Sequence, residues 1–172
     1  MTNDLLHQLA RHLASSNAEQ RKHWAQRVVA ESFPFESLLS LFHSDPKTSQ
    51  RFMWFIGDLV RMNPEIVKPS MPLLFSLRDQ MPFPGMDRSI CVWLFWTRVP
   101  EAVCPEAIEQ LYDYLGNKTA SIAAKSFAAK ALMGLIKDKR TSTARLAKTL
   151  KTQIPNTNQA FERRMRKMLL SL

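Results

Sequence analysis

Apolar residues recur along this chain three or four positions apart, the spacing that places side chains on one face of an α-helix. No stretch alternates convincingly between apolar and polar residues, as a half-buried strand would. A helix that begins at Pro64 should be bent or broken by Pro69 and Pro72. The other predicted helices cover about 3–14, 17–32, 34–43, 45–62, 86–98, 105–116, 119–137, 142–153 and 157–171. The predicted fold class is therefore all-α, with about ten helices.

Local signals mark several helix ends. Asp45-Pro46 and Asn63-Pro64 each combine a capping side chain with a first-turn proline. Gly116-Asn117 is a C-terminal capping pair, and 81–85 is the clearest loop because it holds two prolines and a glycine. The remaining connections are short, so consecutive helices should be antiparallel neighbours.

A basic residue recurs at a fixed stride early in alternate helices. Arg51, Arg88 and Lys125 are separated by 37 residues each time, and Phe55, Val92 and Ala129 share the position four residues further on. A repeat of this length is typical of stacked helical hairpins, in which each pair buries its apolar face against the next.

The segment from Ala124 to Leu132 resembles the second helix of a HEAT repeat. It has a small apolar residue, a basic residue, two variable residues and an Ala-rich run that ends in leucine. Arg51 and Arg88 match only the basic position of that pattern, and the stride of 37 is slightly shorter than the usual HEAT repeat. The resemblance covers about 34–172 and places the chain with the HEAT-like and armadillo-type α-solenoids.

This resemblance implies a right-handed α-α superhelix of stacked antiparallel helix pairs. The whole chain, 1–172, would form a single domain. Residues 1–33 would be an N-terminal capping helix pair, 34–156 the repeats, and 157–172 a basic C-terminal capping helix.

In HEAT-like stacks the second helices line a concave groove, so the resemblance implies a ladder of Arg51, Arg88 and Lys125 along that groove. Helical spacing adds Trp54, Asp58 and Arg61 to the polar face that carries Arg51. The alternative is that the three basic residues form ion pairs with acids of adjoining repeats. Such acids include Asp58, Asp87 and Asp113.

The position of Trp54 has two interpretations, whereas Trp93 and Trp96 have one. Trp54, placed among arginines, could stack a base, a peptide side chain or a cation. It could equally fill the seam against the next repeat, and we favour the seam. Trp93 and Trp96 lie in a helix that is apolar nearly all round, and we expect both in the core.

Charge is distributed unevenly along the chain. Of the net charge of +9, residues 1–115 contribute −2 and residues 116–172 contribute +11. The basic third would be either the solvated face of a capping helix or a patch for an acidic ligand. The residues of this candidate patch are Lys130, Lys137, Arg145, Lys148, Lys151, Arg163, Arg164, Arg166 and Lys167.

Recognisable catalytic motifs are missing from the sequence. Its four histidines all precede residue 44 without metal-ligand spacing, and its four glycines form no phosphate-binding loop. Cys91 and Cys104 are expected to be buried, reduced thiols. We expect no enzymatic activity, no cofactor and no metal.

The first residues do not have the pattern of a signal peptide, and the longest apolar run, 90–96, is too short to cross a bilayer. We therefore expect a cytoplasmic protein without membrane insertion.

Two functions remain open at this point. The leading one is a non-enzymatic HEAT-like scaffold for a protein or peptide partner. The alternative is nucleic-acid binding through the basic C-terminal third. Its enzymatic form would be a HEAT-like DNA-repair protein of the alkylpurine glycosylase type, whose concave basic surface holds Trp and a catalytic Asp. Trp54 and Asp58 are of these residue types, but no motif of that family matches here, so neither is assigned a role.

Overall fold

The chain is helical throughout the computed structural model, which describes residues 2–79, 85–156 and 158–172. No strand occurs in these ranges. Only Gly85 of the predicted loop 81–85 is described; the other four residues lie outside. The ten α-helices are α1 (Thr2–His12), α2 (Ala18–Ala30), α3 (Pro46–Met62), α4 (Pro64–Val67), α5 (Met71–Ser76), α6 (Met86–Thr97), α7 (Cys104–Gly116), α8 (Ile122–Lys137), α9 (Thr143–Gln153) and α10 (Gln159–Leu169).

Most helix ends follow the local signals in the sequence. The Asp45 carboxylate accepts hydrogen bonds from the backbone N–H groups of Lys47 and Thr48, and α3 begins at Pro46. The Asn63 side chain accepts from the Glu65 N–H at the start of α4. These bonds satisfy N–H groups that have no partner inside the helix. The all-α class is confirmed for the described residues, and their ten α-helices equal the predicted number although the two sets differ in two places.

The described residues contain six 3₁₀ segments, and two of them interrupt or replace a predicted α-helix. The prolines around residue 70 do break the fifth predicted helix, since a 3₁₀ turn over Lys68–Ser70 separates α4 from α5. The helix predicted over 34–43 is instead a 3₁₀ helix, Phe35–His43. Its buried residues Phe35, Leu38 and Leu41 are three apart, which matches three residues per turn.

Helices α2, α3, α6 and α8 form a row in which each packs against the next. Beside the row, α7 packs against α8 and also against α9. Four of the residue pairs that side-chain hydrogen bonds join between elements are 36 to 38 positions apart, whereas others span from 19 to 42 positions. The four pairs are Arg21 with Asp58, Glu109 with Arg145, Gly116 with Gln153, and Ser126 with Arg164.

The core continues along this row and includes Trp93, which is 1% exposed. Trp96, also predicted to lie in the core, is instead 37% exposed. Its ring stands edge-on to Phe95 at 5.2 Å between centroids, in a shallow depression between α6 and α8 that Lys130 also lines. Helix α6 is apolar nearly all round, and its neighbours leave the face that carries Trp96 uncovered. The prediction that Trp96 lies in the core was therefore wrong.

Candidate functional site

A cleft of about 360 Å³ lies where α2, α3 and α6 meet. Residues on one face of α3 and one face of α6 line it, together with Arg21 from α2. Gly57 keeps the cleft open, because a side chain there would project towards the Arg61 guanidinium and Val92. The lining residues are Arg21, Met53, Trp54, Gly57, Asp58, Arg61, Gly85, Arg88, Ser89, Val92 and Trp93. Four of the six predicted groove residues are therefore in one place.

Trp54 lines the cleft and is half-buried against the core. The guanidinium carbon of Arg51 lies 4.5 Å from the centroid of its ring, and that of Arg21 lies 5.5 Å away. Cation–π contacts of this kind contribute about 0.5–2 kcal/mol each. Trp54 thus fills space between helices and also holds two cations at the edge of the cleft.

Among the described residues that line the cleft, Asp58 is the one carboxylate. Its oxygens lie 3.3 Å from Arg21 Nε and 3.3 Å from Arg61 Nη1. Arg61 Nη1 also donates to the Gly57 carbonyl at 3.0 Å. Burial raises the pKa of Asp58 above its ordinary value, although both arginines act in the opposite direction.

Arg88 lies exposed on α6, and no carboxylate of the described residues lies within ion-pair distance of its guanidinium. The interpretation in which Arg51, Arg88 and Lys125 pair with acids of adjoining repeats is not what the structure has. Arg51 stacks on Trp54 instead. The cations that form ion pairs with Asp58 are Arg21 and Arg61. Sequence reasoning missed Arg21, although it precedes Asp58 by the same stride of 37 residues.

Lys125 lies away from the cleft and is only 5% exposed. Its Nζ donates to Gln153 Oε1 at 3.3 Å. Burial lowers the pKa of Lys125, because the charged ammonium group loses hydration. The repeat places Lys125 in the position equivalent to Arg88, but α9 covers it through Gln153.

Replacing Lys125 with methionine should raise the free energy of unfolding by about 1 kcal/mol, since it removes a buried charge that has only one neutral partner. The wild-type protein should also gain stability as the pH rises from the lowered pKa of Lys125 towards 10.5, because the unfolded chain binds more protons in that window. The variant should lose this pH dependence. Urea denaturation at several pH values measures both effects.

The matched control is Lys148→Met, because Lys148 is exposed on α9. It should change the free energy of unfolding by less than about 0.5 kcal/mol. A loss of stability in Lys125→Met of more than about 1 kcal/mol would show that the hydrogen bond to Gln153 outweighs the burial of charge.

The basic C-terminal third divides into paired and unpaired cations. Arg145 Nη2 donates to Glu109 Oε2 at 2.7 Å, and Arg166 forms an ion pair with Glu162 at 2.8 Å. Lys130 lies over the rings of Phe95 and Phe127. The exposed cations of this third that have no carboxylate partner within the described residues are Lys118, Lys137, Lys139, Lys148, Lys151, Arg163, Arg164 and Lys167. Lys118 and Lys139 were not in the predicted patch.

Comparison with protein-family models, with curated proteins and with solved structures gave no match for this chain. In the described part of the chain no helix is both long and apolar enough to span a membrane. The same residues contain no group of three or more His, Cys, Asp or Glu side chains that could hold a metal ion. The cleft and the unpaired cations are therefore the features on which a functional proposal rests.

Proposed function

We propose that this protein is a non-enzymatic binding module built as a HEAT-like stack of antiparallel helix pairs. The row from α2 to α8 and the side-chain hydrogen bonds that join residues 36 to 38 positions apart support this arrangement. In stacked repeats each unit contacts mainly its neighbours, which produces contacts of about one repeat length. The stack presents the cleft between α2, α3 and α6 to its ligand.

The ligand of this cleft is anionic. Arg21, Arg61 and Arg88 line the cleft and Arg51 stacks on its tryptophan, whereas Asp58 is the one carboxylate among the described lining residues. Asp58 neutralises only part of this charge, since it is shared between two of the arginines. Guanidinium groups recognise phosphate and carboxylate groups through paired hydrogen bonds.

The partner that this charge distribution favours is a nucleic acid. The observation that carries this proposal is the set of eight exposed cations of the described C-terminal third that have no carboxylate partner, added to the arginines of the cleft. A short acidic peptide in the cleft would leave most of these cations unused, whereas a nucleic acid is an extended polyanion that has a phosphate for each of many cations. Phosphate contacts of this kind supply affinity without sequence preference.

Fluorescence anisotropy of the full chain with labelled duplex and single-stranded DNA tests the proposal. With five or six phosphate contacts, the affinity for duplex DNA should fall about 10³-fold between 50 and 200 mM salt. A labelled RNA is measured in the same way. If the chain binds neither form of DNA and no RNA at low salt, the nucleic-acid proposal is overturned and a protein or peptide remains as the partner.

A second candidate function follows from Asp58 itself. It lies one helical turn from Trp54 in the cleft, and burial raises its pKa, as is common for acid–base groups in active sites. In a base-excising enzyme of the alkylpurine glycosylase type, this carboxylate would act on the bound nucleotide. Incubation with an alkylated duplex separates the two candidates, because only the enzyme releases a free base and loses this activity in Asp58→Asn.

A further inference from the structure

Trp93 forms part of the wall of the cleft and carries a buried donor that has no acceptor. Its side chain is 1% exposed, and its indole Nε1 finds no hydrogen-bond acceptor among the described residues. A buried donor without a partner costs about 1–3 kcal/mol. Folded proteins seldom keep such a donor unless it serves a ligand, an ion or an ordered water.

Arg88 and Arg61 supply further donors beside Trp93. Arg88 has no carboxylate partner in the described ranges, and Arg61 uses Nη1 for its contacts with Asp58 and the Gly57 carbonyl. A guanidinium has five N–H groups, so both arginines retain donors for a ligand. The two arginines therefore favour a ligand group that is negatively charged and rich in acceptors.

Stacking of a base on Trp54 fits this cleft poorly. Two guanidinium groups already lie over the indole ring, and the side chain also packs against the core. A base would have to displace one of these cations to reach the ring. In the binding module, unlike in the base-excising candidate, the group that enters the cleft is therefore the phosphate and not the base.

We propose that the part of the cleft formed by Arg61 and Arg88, against the wall to which Trp93 belongs, is a subsite for the terminal phosphate of a nucleic-acid strand, an inference that rests on the proposed function. A terminal phosphate carries a charge of about −1.5 to −2 at pH 7 and three acceptor oxygens, compared with a charge of −1 for an internal phosphate. It therefore matches the excess of arginines more closely.

The test compares two labelled single-stranded DNA oligonucleotides that differ only at the 5′ end, one with a phosphate and one with a hydroxyl. The full chain should bind the 5′-phosphorylated strand about tenfold more tightly. This is the change in affinity expected from the charge-assisted hydrogen bonds between one terminal phosphate and the arginines. Oligonucleotides with a 3′-phosphate form the second arm, which shows whether one end of the strand is preferred.

Two variants locate the subsite. Arg88→Gln removes the unpaired cation, and Gly57→Leu fills the cleft without removing a charge. Both should abolish the preference for the phosphorylated end while the hydroxyl-ended strand still binds. The matched control is Arg163→Gln, which removes an exposed cation on α10 and should weaken both strands by the same factor. Circular dichroism verifies that each variant is folded.

The outcomes separate the two proposals. If phosphorylated and unphosphorylated strands bind equally well, the subsite is overturned and the proposed function stands. If neither strand binds at low salt, the proposed function itself fails. A preference that survives in folded Arg88→Gln and Gly57→Leu would place the phosphate elsewhere and would also overturn the subsite.

Discussion

Replacing Phe52 with alanine should lower the free energy of unfolding by about 3–5 kcal/mol. Phe52 is fully buried in α3, and its ring centroid lies 4.7 Å from that of Phe42, 6.1 Å from that of Phe55 and 6.3 Å from that of Phe35. The substitution removes these aromatic contacts and leaves a cavity that the neighbouring rings cannot fill. Urea denaturation followed by circular dichroism measures the loss.

Leu170→Ala is the control for this prediction, because Leu170 is 91% exposed at the end of the chain. Its free energy of unfolding should stay within about 0.5 kcal/mol of the wild-type value. Since small domains are stable by only about 5–15 kcal/mol, Phe52→Ala should be measurably less stable even if it remains folded. A loss of less than about 1 kcal/mol would contradict the burial of Phe52 between α3 and the 3₁₀ helix.

The double variant Lys151→Gln, Arg163→Gln should bind duplex DNA about 50-fold more weakly at 0.1 M salt than the wild-type protein. Both residues are exposed and unpaired in the described part of the basic third. Each phosphate contact contributes about 0.9 to the slope of log affinity against log salt, so the slope should become shallower by about 2. Anisotropy titrations across a salt series measure the affinity and the slope together.

The matched control for this variant is Arg11→Gln, Lys47→Gln, which removes one arginine and one lysine that are exposed in the N-terminal half. It changes the net charge of the protein by the same amount. If both double variants weaken binding equally, the basic third is not the contact surface and only net charge matters. Retention of the wild-type slope in Lys151→Gln, Arg163→Gln would contradict the proposed phosphate contacts.

The helices could be predicted from the sequence because their ends are determined locally. Helix α3 runs from Pro46 to Met62, as the Asp45 cap and the following Asn63-Pro64 indicate. Over 34–43 the sequence predicts an α-helix, because Pro34 suits its first turn. The structure has a 3₁₀ helix there, Phe35–His43, whose buried side chains Phe35, Leu38 and Leu41 are spaced three residues apart.

The candidate site could be predicted where its residues share one helix face. Trp54, Asp58 and Arg61 lie together because helical geometry alone places them so. Arg21 and Trp93 joined the site only in the structure, since their positions depend on how α2 and α6 pack against α3. Lys125 was included for its place in the repeat, but its contact with Gln153 depends on the packing of the next element, which a repeat position does not specify.

The side-chain bridges in this structure join residues that are close in sequence, which affects how fast the chain folds. Bridges such as Arg21 to Asp58 and Ser126 to Arg164 join residues fewer than forty positions apart. Such a chain has a low contact order, so little loop-closure entropy opposes the search and folding should be rapid. Amide hydrogen exchange should then be fastest in α1 and α10 and slowest in α3 and α6, since the terminal helices have a neighbour on one side only.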